Sequence, residues 1–177
     1  MALTRGIGKL LQLGIAVEST RGTAKTSASY WLAVDDWSIE ERFSNAVDVQ
    51  TYGRIEDNVS QTRVKDWAEG SIKCPIGATT AAVLFRSLLG SSAAVLKSGE
   101  TKIFDNYTTV AQNSQHPTLT LFIHDPIATA TGATPDYTHA NATVSKIDLD
   151  YSLGNFVMLD ATVRALRGSA AAVAFVP

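Results

Sequence analysis

Side chains that could perform acid–base or metal chemistry are few in this sequence and widely separated. The histidines, His116, His124 and His139, lack the i, i+2 or i, i+4 spacing that would place two imidazoles on one metal ion. The adjacent pair Asp35-Asp36 could bind a cation, but it follows a short apolar run, which favours a turn at the end of a strand. The sequence contains no Gly-x-Ser-x-Gly segment of the kind that presents a nucleophilic serine. We therefore expect neither an enzyme nor a protein that needs a cofactor.

Asp148 and Asp150 resemble a catalytic carboxylate pair, because residues two apart lie on the same face of a strand. Lys146 precedes them on that face, and Asp160 and Arg164 share a face of the next segment. Charges of mixed sign on neighbouring strands are typical of a solvated surface. We therefore interpret this set as a charged surface and not as an active site.

Composition excludes several classes of protein. The net charge is −2, with 15 basic and 17 acidic residues, whereas a protein that holds nucleic-acid phosphates by itself needs a basic face. The single cysteine, Cys74, rules out a disulfide framework and a cysteine-based zinc cluster, and we expect it in the core. No run approaches the roughly 20 apolar residues of a membrane helix, so we expect no membrane insertion.

The charged set lies on the clearest pair of predicted strands. Residues 143–153 alternate apolar with polar side chains, a turn follows at Gly154-Asn155, and residues 156–166 alternate again. A period of two indicates strands with one buried face, and the turn pair is typical of a two-residue hairpin. This closing hairpin turns one polar set to a single side: Lys146, Asp148, Asp150, Asp160, Thr162 and Arg164.

A second predicted hairpin lies earlier in the chain, with alternating arms at 37–43 and 67–76. Residues 44–66 between the arms are polar and show no helical pattern, which predicts a loop far longer than the median of about 4–6 residues. Long loops that persist are often functional, so we expect this one to be poorly ordered in an isolated copy and to contact a neighbouring copy. The candidate contact residues are Asn45, Asp48, Gln50, Tyr52, Arg54, Glu56, Asp57, Asn58, Gln61 and Arg63.

One helix is predicted between these two hairpins. Its apolar stripe has the spacing i, i+3, i+4, i+7, from a cap at Thr79 or Thr80 to a stop at Gly90. We expect the stripe to be buried in the core: Ala81, Leu84, Phe85 and Leu88.

Short apolar strands are predicted at 30–34 and 118–124. Residues 91–117 are expected to be mostly loop apart from a short strand near 103–107, and 127–136 to be a flexible loop of small residues. The patterns together predict several antiparallel strands and one helix.

Several of these segments, in this order, resemble the phage tail tube protein family, the major tail proteins of long-tailed bacteriophages. Residues 14–24 (GIAVESTRGTA) are similar to that family's opening pattern G-I/V-x-x-E-x-x-x-G-T-A. EGSI within 69–90, followed by a helix that ends in LLG, resembles its EGSIxF…LLG segment. Residues 117–121 (PTLTL) are similar to a P-S-L-T-I strand, and 137–163 resembles the closing hairpin. The likeness covers residues 14–168.

The resemblance implies an antiparallel β-sandwich or half-barrel with one flanking helix and a long hairpin loop. It implies copies that self-associate into six-membered rings, which stack into a tube for double-stranded DNA and the tape measure protein. Tail terminator and tail tip proteins would be further partners, and the location would be the virion tail after synthesis in the host cytoplasm. The expected domains are an N-terminal arm at 1–29, a tail-tube sandwich at 30–168 and a C-terminal tail at 169–177.

In a closed ring of sheets, each strand turns one face to the core and the other to the central channel. The polar set of the closing hairpin is therefore the first prediction for the channel wall. A secondary set lies on the earlier hairpin, which could equally face the outside of the tube: Glu40, Arg42, Glu69 and Lys73. A slightly acidic wall would let DNA slide, since a basic wall would hold its phosphates.

Two other hypotheses stay open. A stand-alone β-sandwich that acts as a binding or adhesion module would need an exposed aromatic platform. Trp31, Trp37 and Trp67 instead fall within strand patterns and are expected in the core or an interface. A tail terminator or head–tail connector protein is the other alternative.

Overall fold

Alternating side chains form strands along most of this chain. The computed structural model describes residues 11–48, 60–96, 103–110, 116–125 and 136–170. In chain order the elements are β1 (Gln12–Val17), β2 (Tyr30–Leu32), β3 (Asp36–Asp48), β4 (Ser60–Pro75), α1 (Ala78–Leu89), β5 (Gly90–Leu96), β6 (Ile103–Val110), β7 (Leu119–His124), β8 (Tyr137–Asp150), β9 (Met158–Ala165) and β10 (Ser169–Ala170).

One antiparallel sheet has the strand order β2-β1-β7-β8-β9-β4-β3, and β10 also pairs with β8. The first part of β8, Tyr137–Ala142, pairs with β7, and its second part, Thr143–Asp150, pairs with β9. β8 therefore joins two halves of the sheet, whose buried side chains belong to one core. β5 and β6 form a separate two-stranded sheet near α1. The predicted mainly β, antiparallel fold with a helix is confirmed.

The core takes one alternate set of side chains from each half of the sheet. Leu13 and Leu121 come from one half, and Ile72 and Leu159 come from the other. Leu84 of α1 is fully buried in the same cluster, and the rest of the predicted helical stripe packs against it. The stripe is therefore core, as predicted.

Cys74 also lies in this core, as expected. Burial raises the pKa of its thiol above the ordinary value, because the thiolate is poorly solvated there.

A buried carboxylate fixes the segment that follows β1. Glu18 Oε2 accepts hydrogen bonds from the Gly22 backbone N–H at 2.8 Å and from Thr118 Oγ1 at 2.5 Å. Its Oε1 accepts from the Asn141 backbone N–H at 2.7 Å and from Thr120 Oγ1 at 3.0 Å. These donors offset the cost of burying the carboxylate. Glu18 and Gly22, which has a φ of +79°, are the Glu and Gly of the opening pattern, so that spacing has a structural role here.

Two strands lie outside the segment predicted as the folded domain. β1 belongs to the predicted N-terminal arm, yet it sits between β2 and β7 and pairs with β7 along its whole length. Residues 169–170, assigned to the C-terminal tail, form β10 against β8. Both segments are part of the sheet because their backbone groups complete its hydrogen bonding.

The helix and the segment after it differ in part from the prediction. The N-cap is Gly77, which has no side chain to accept a hydrogen bond, so the predicted cap at Thr79 or Thr80 is wrong. Gly90 ends the helix as predicted, in the left-handed conformation with a φ of +90°. The loop predicted from residue 91 is wrong over residues 91–96, which form β5, whereas the short strand predicted near 103–107 is confirmed as part of β6, the partner of β5. The loop predicted at 127–136 lies outside the described residues except for Asp136.

Both hairpins have different connections from those predicted. β3 continues to Asp48 and β4 starts at Ser60, so much of the predicted 44–66 loop is a paired ribbon. The alternation gave no sign of it, because both sides of the ribbon are exposed where its burial is described. The last pair between β8 and β9 is Asp150 with Met158, so residues 151–157 replace the predicted two-residue turn.

Candidate functional site

Four neighbouring strands, β8, β9, β4 and β3, carry every residue predicted for the channel wall. Residues directly opposite each other in an antiparallel sheet share a face. Glu40 lies opposite Glu69, Glu69 opposite Arg164, and Arg164 opposite Thr143. Because positions two apart repeat the face, all the candidates lie on one side, which we call the charged face: Glu40, Arg42, Glu69, Lys73, Lys146, Asp148, Asp150, Asp160, Thr162 and Arg164.

A cation bridges the first of two like-charged pairs on the charged face. The two carboxylates of Glu40 and Glu69 are directly opposed, which is unfavourable by itself. Arg42 lies with Nη2 3.1 Å from Glu40 Oε2 and Nε 3.6 Å from Glu69 Oε1. All three side chains are about half exposed or more, at 67%, 44% and 54% for Glu40, Glu69 and Arg42. Such pairs contribute little to stability, so this arrangement mainly sets the surface charge.

The second like-charged pair is Asp148 opposite Asp160. Lys146 Nζ lies 2.6 Å from Asp148 Oδ2. The hydrogen bond to Asp148 and then its charge raise the pKa of Lys146, with a smaller contribution from the charge of Asp160. Lys146 therefore keeps its positive charge beside the two aspartates.

An aromatic side chain lies among these charges. Trp67 Nε1 donates a hydrogen bond to Glu69 Oε2 at 2.9 Å. The Arg164 guanidinium carbon lies 5.2 Å from the centroid of the Trp67 ring, within the range of a cation–π contact. Trp67 is thus on the charged face and not in the core.

The middle of the charged face is a shallow depression of about 620 Å³ lined by hydroxyl and charged groups. Its hydroxyls are used in the sheet itself: Thr143 Oγ1 donates to the Arg164 carbonyl and Ser145 Oγ to the Thr162 carbonyl, both at 3.2 Å. Within the described part of the chain, no group of three or more His, Cys, Asp or Glu residues could hold a metal ion.

Thr143 and Ser145 line the charged face but are missing from the predicted set. A shift in register between Val144 and Lys146 places both of them on the same side as Lys146. The two adjacent polar residues Ser145-Lys146 were the only sequence signal of this irregularity. Ser38 and Ser71, opposite each other on the earlier hairpin, complete the lining.

The residues predicted for intersubunit contact fall into two groups. Asn45 pairs with Arg63, and Gln61 and Asp48 lie nearer the tip of the same ribbon. The Arg63 guanidinium carbon lies 4.7 Å from the centroid of the Phe43 ring. The remaining candidates lie outside the described residues: Gln50, Tyr52, Arg54, Glu56, Asp57 and Asn58.

The histidines do not belong to the charged face. His124 Nδ1 lies 3.0 Å from Asp136 Oδ1, and both side chains are buried. His139 Nδ1 lies 3.2 Å from the Leu166 carbonyl oxygen. These contacts join β7, β8 and the segment after β9, so we interpret both histidines as structural.

Comparison with known proteins defines the class of fold. The sequence matches no protein-family model and no curated protein. A chain of the tube-terminating cap of the anti-feeding prophage is similar in structure, with a TM-score of 0.57 and 8% identity over 96% of this chain and 92% of that one. A chain of the PVC extracellular contractile injection system, from its extended sheath–tube complex, gives 0.54 and 8% over 94% and 91%. A chain from the tail of an empty GTA particle gives 0.51 and 11% over 95% and 100%.

The TM-scores of 0.51 to 0.57, at sequence identities of only 8% to 11%, show a shared fold and no more. At the level of fold, the chain is similar to components of tail and tube assemblies of phage-like particles. Among the described residues, no helix is long and apolar enough to span a membrane.

Proposed function

We propose that this chain is a structural tail tube protein, whose copies form six-membered rings that stack into a conduit for DNA delivery. The observation that carries the proposal is the charged face, where both predicted residue sets meet on four adjacent strands. A surface built from two hairpins distant in sequence, with an apolar core behind it, is suited to form a segment of a continuous wall.

The two outer strands of this four-stranded sheet, β3 and the second part of β8, could pair between copies and so close a ring. Within the described chain, β3 pairs only with β4, and the Lys146–Asp150 stretch of β8 pairs only with β9. Free edges present unpaired backbone donors and acceptors that another strand can satisfy. Pairing of β3 in one copy with β8 in the next is a heterologous contact, which closes into a ring when the rotation permits.

The charge of the wall fits the passage of DNA. Arg42 lies between Glu40 and Glu69, and Lys146 pairs with Asp148, so these two cations are compensated locally. A wall of this kind repels phosphates weakly and offers no continuous basic track to retain them. Double-stranded DNA and the tape measure protein would occupy the channel without sequence-specific contacts.

The remaining parts of the proposal follow from the same assembly. The β3–β4 ribbon and its tip would contact a neighbouring copy, and tail terminator and tail tip proteins would bind the two ends of the tube. The protein would be made in the host cytoplasm and located in the virion tail.

Electron microscopy of the purified protein over a concentration series tests this function. We expect rings or tubes with a central channel at high concentration. A protein that stays monomeric at every concentration, as judged by sedimentation, would contradict the proposal.

A tube-terminating cap is the second candidate, because the cap of the anti-feeding prophage is among the similar structures. A cap would form single rings that bind the end of a tube and do not extend it. The same micrographs separate the two, since a tube protein gives stacks of increasing length.

A further inference from the structure

The two ends of the four-stranded sheet are built from different elements. One end is formed by Asp36, Lys73, Asp160 and Asp148, followed by the residues 151–157 that join β8 to β9. At the other end, β3 and β4 extend beyond the last pair with β9, Ala68 with Ala165.

The end with the β8–β9 connection exposes large apolar side chains, which we call the turn patch. Leu153 is 93% exposed and Phe156 84%. Three less exposed side chains complete the patch. Leu149 and Tyr151 precede Leu153 in the chain, and the Ile76 backbone N–H donates a hydrogen bond to the Val157 carbonyl, next to Phe156. Adjacent exposed apolar groups of this size mark an interaction surface more often than an ordinary surface.

A small recess of about 310 Å³ adjoins the turn patch. Phe156 and Met158 provide its apolar lining, while Asp35 and Asp150 provide carboxylates beside Lys73. The recess thus combines an apolar wall with two carboxylates and one ammonium group, which leaves it with an excess of negative charge. This chemistry fits a long cationic side chain, whose methylene groups can pack while its charge meets the carboxylates.

The opposite end carries side chains of that type. Residues 42–48 of β3 and their partners on β4 form a ribbon that spans about 20 Å at the rise of an antiparallel strand. Phe43 is 58% exposed and Val64 57%, and Arg63 and Lys65 are exposed beside them. Arg63 pairs with Asp66 and stacks on Phe43, so Lys65 is the basic group that the ribbon offers beside its apolar side chains. The other end offers apolar and acidic groups.

We infer that the turn patch and its acidic recess bind the β3–β4 ribbon of a second copy, in a head-to-tail contact. The inference rests on the proposed tube and assigns the acceptor for stacking. Complementary surfaces at opposite ends of one sheet cannot meet within a single copy. They can meet between copies, and the same contact is then repeated each time a copy is added in line.

The first experiment removes the acceptor without changing the ring edges. Leu153→Asp with Phe156→Asp is compared with the matched control Thr26→Asp with Ser27→Asp, which adds the same charge at two exposed polar positions of the β1–β2 connection, outside the lining of the recess. We expect the first variant to form rings but to need about tenfold more protein to stack, because it removes the two most exposed apolar side chains of the turn patch from the contact. The control should stack like the unchanged protein, and circular dichroism checks folding of both.

Cysteine cross-linking tests the contact between copies directly. Lys65→Cys in a tagged chain is mixed with Leu153→Cys in an untagged chain under mild oxidation, and the native Cys74 is buried away from the reaction. We expect a disulfide-linked heterodimer, at least tenfold above the mixture of Ser145→Cys with Leu153→Cys. Ser145 lies in the middle of the charged face and serves as the control.

The outcomes separate this inference from the proposed function. Unchanged stacking in the Leu153→Asp, Phe156→Asp variant, loss of its rings, or cross-linking no better than the control would overturn the inference while leaving the tube intact. An unchanged protein that forms neither rings nor tubes would instead reject the proposed function.

Discussion

The two faces of the β8-β9-β4-β3 sheet share one backbone but differ in burial and in charge. On one side, Ile72, Leu159 and Val163 are at most 1% exposed and belong to the core. On the other side, Glu40, Arg42 and Lys146 are each more than half exposed. Burial of apolar surface drives folding, whereas exposed ion pairs contribute little. The difference indicates that the core face determines whether the sheet forms, which leaves the charged face available for function.

The largest effect should come from truncating the core face. Ile72→Ala should lower the free energy of unfolding by about 2–5 kcal/mol, because it removes buried methylene groups and leaves a cavity. Denaturant unfolding of the monomer measures this change.

The matched control is the preceding residue in the chain, Ser71→Ala, which lies on the charged face. It should change stability by no more than about 0.5 kcal/mol, as is usual for surface positions. Equal losses of stability in the two variants would show that both faces stabilise the sheet, which would contradict the separate roles assigned to them.

A change of charge should have an intermediate effect, on interaction and not on folding. Asp148→Lys, which lies outside the lining of the recess, should still assemble, but the tubes should retain short duplex DNA that passes through the unchanged tubes, because the new cations bind phosphates. Co-sedimentation of DNA with tubes measures retention, which should fall as salt rises.

Asp148→Asn is the control, since it removes the same charge without adding a cation. Its tubes should retain less DNA than those of the lysine variant. If the lysine variant retains no more DNA than the unchanged protein, Asp148 does not line the channel.

The smallest effect concerns Lys146. Its pKa is raised by Asp148, so its favourable charge is fully present below the ordinary lysine pKa of about 10.4 and is lost as pH rises through the raised value. An NMR titration of the lysine ammonium groups should place Lys146 above the ordinary value. Asp148→Asn should shift its midpoint down, and a midpoint that stays in place would exclude Asp148 as the cause.

Periodicity in the sequence identified the strands and their faces where one side is buried. Ile72 and Cys74 alternate with Ser71 and Lys73, and the structure separates them in the same way. The same signal failed in the outer ribbon, where residues such as Arg63 and Lys65 are exposed along with their neighbours. A strand without a buried face leaves no alternation to detect.

Local spacing was enough to predict the mainly β fold, the core stripe of the helix and which polar side chains share one face of each strand. The pairing of β9 with β4, which joins the two polar sets into one surface, is seen only in the folded protein. The position of β1 inside the sheet and the exposure of Leu153 and Phe156 are likewise properties of the fold. Pairing between distant strands depends on how the whole chain closes around its core, and no local pattern encodes that choice.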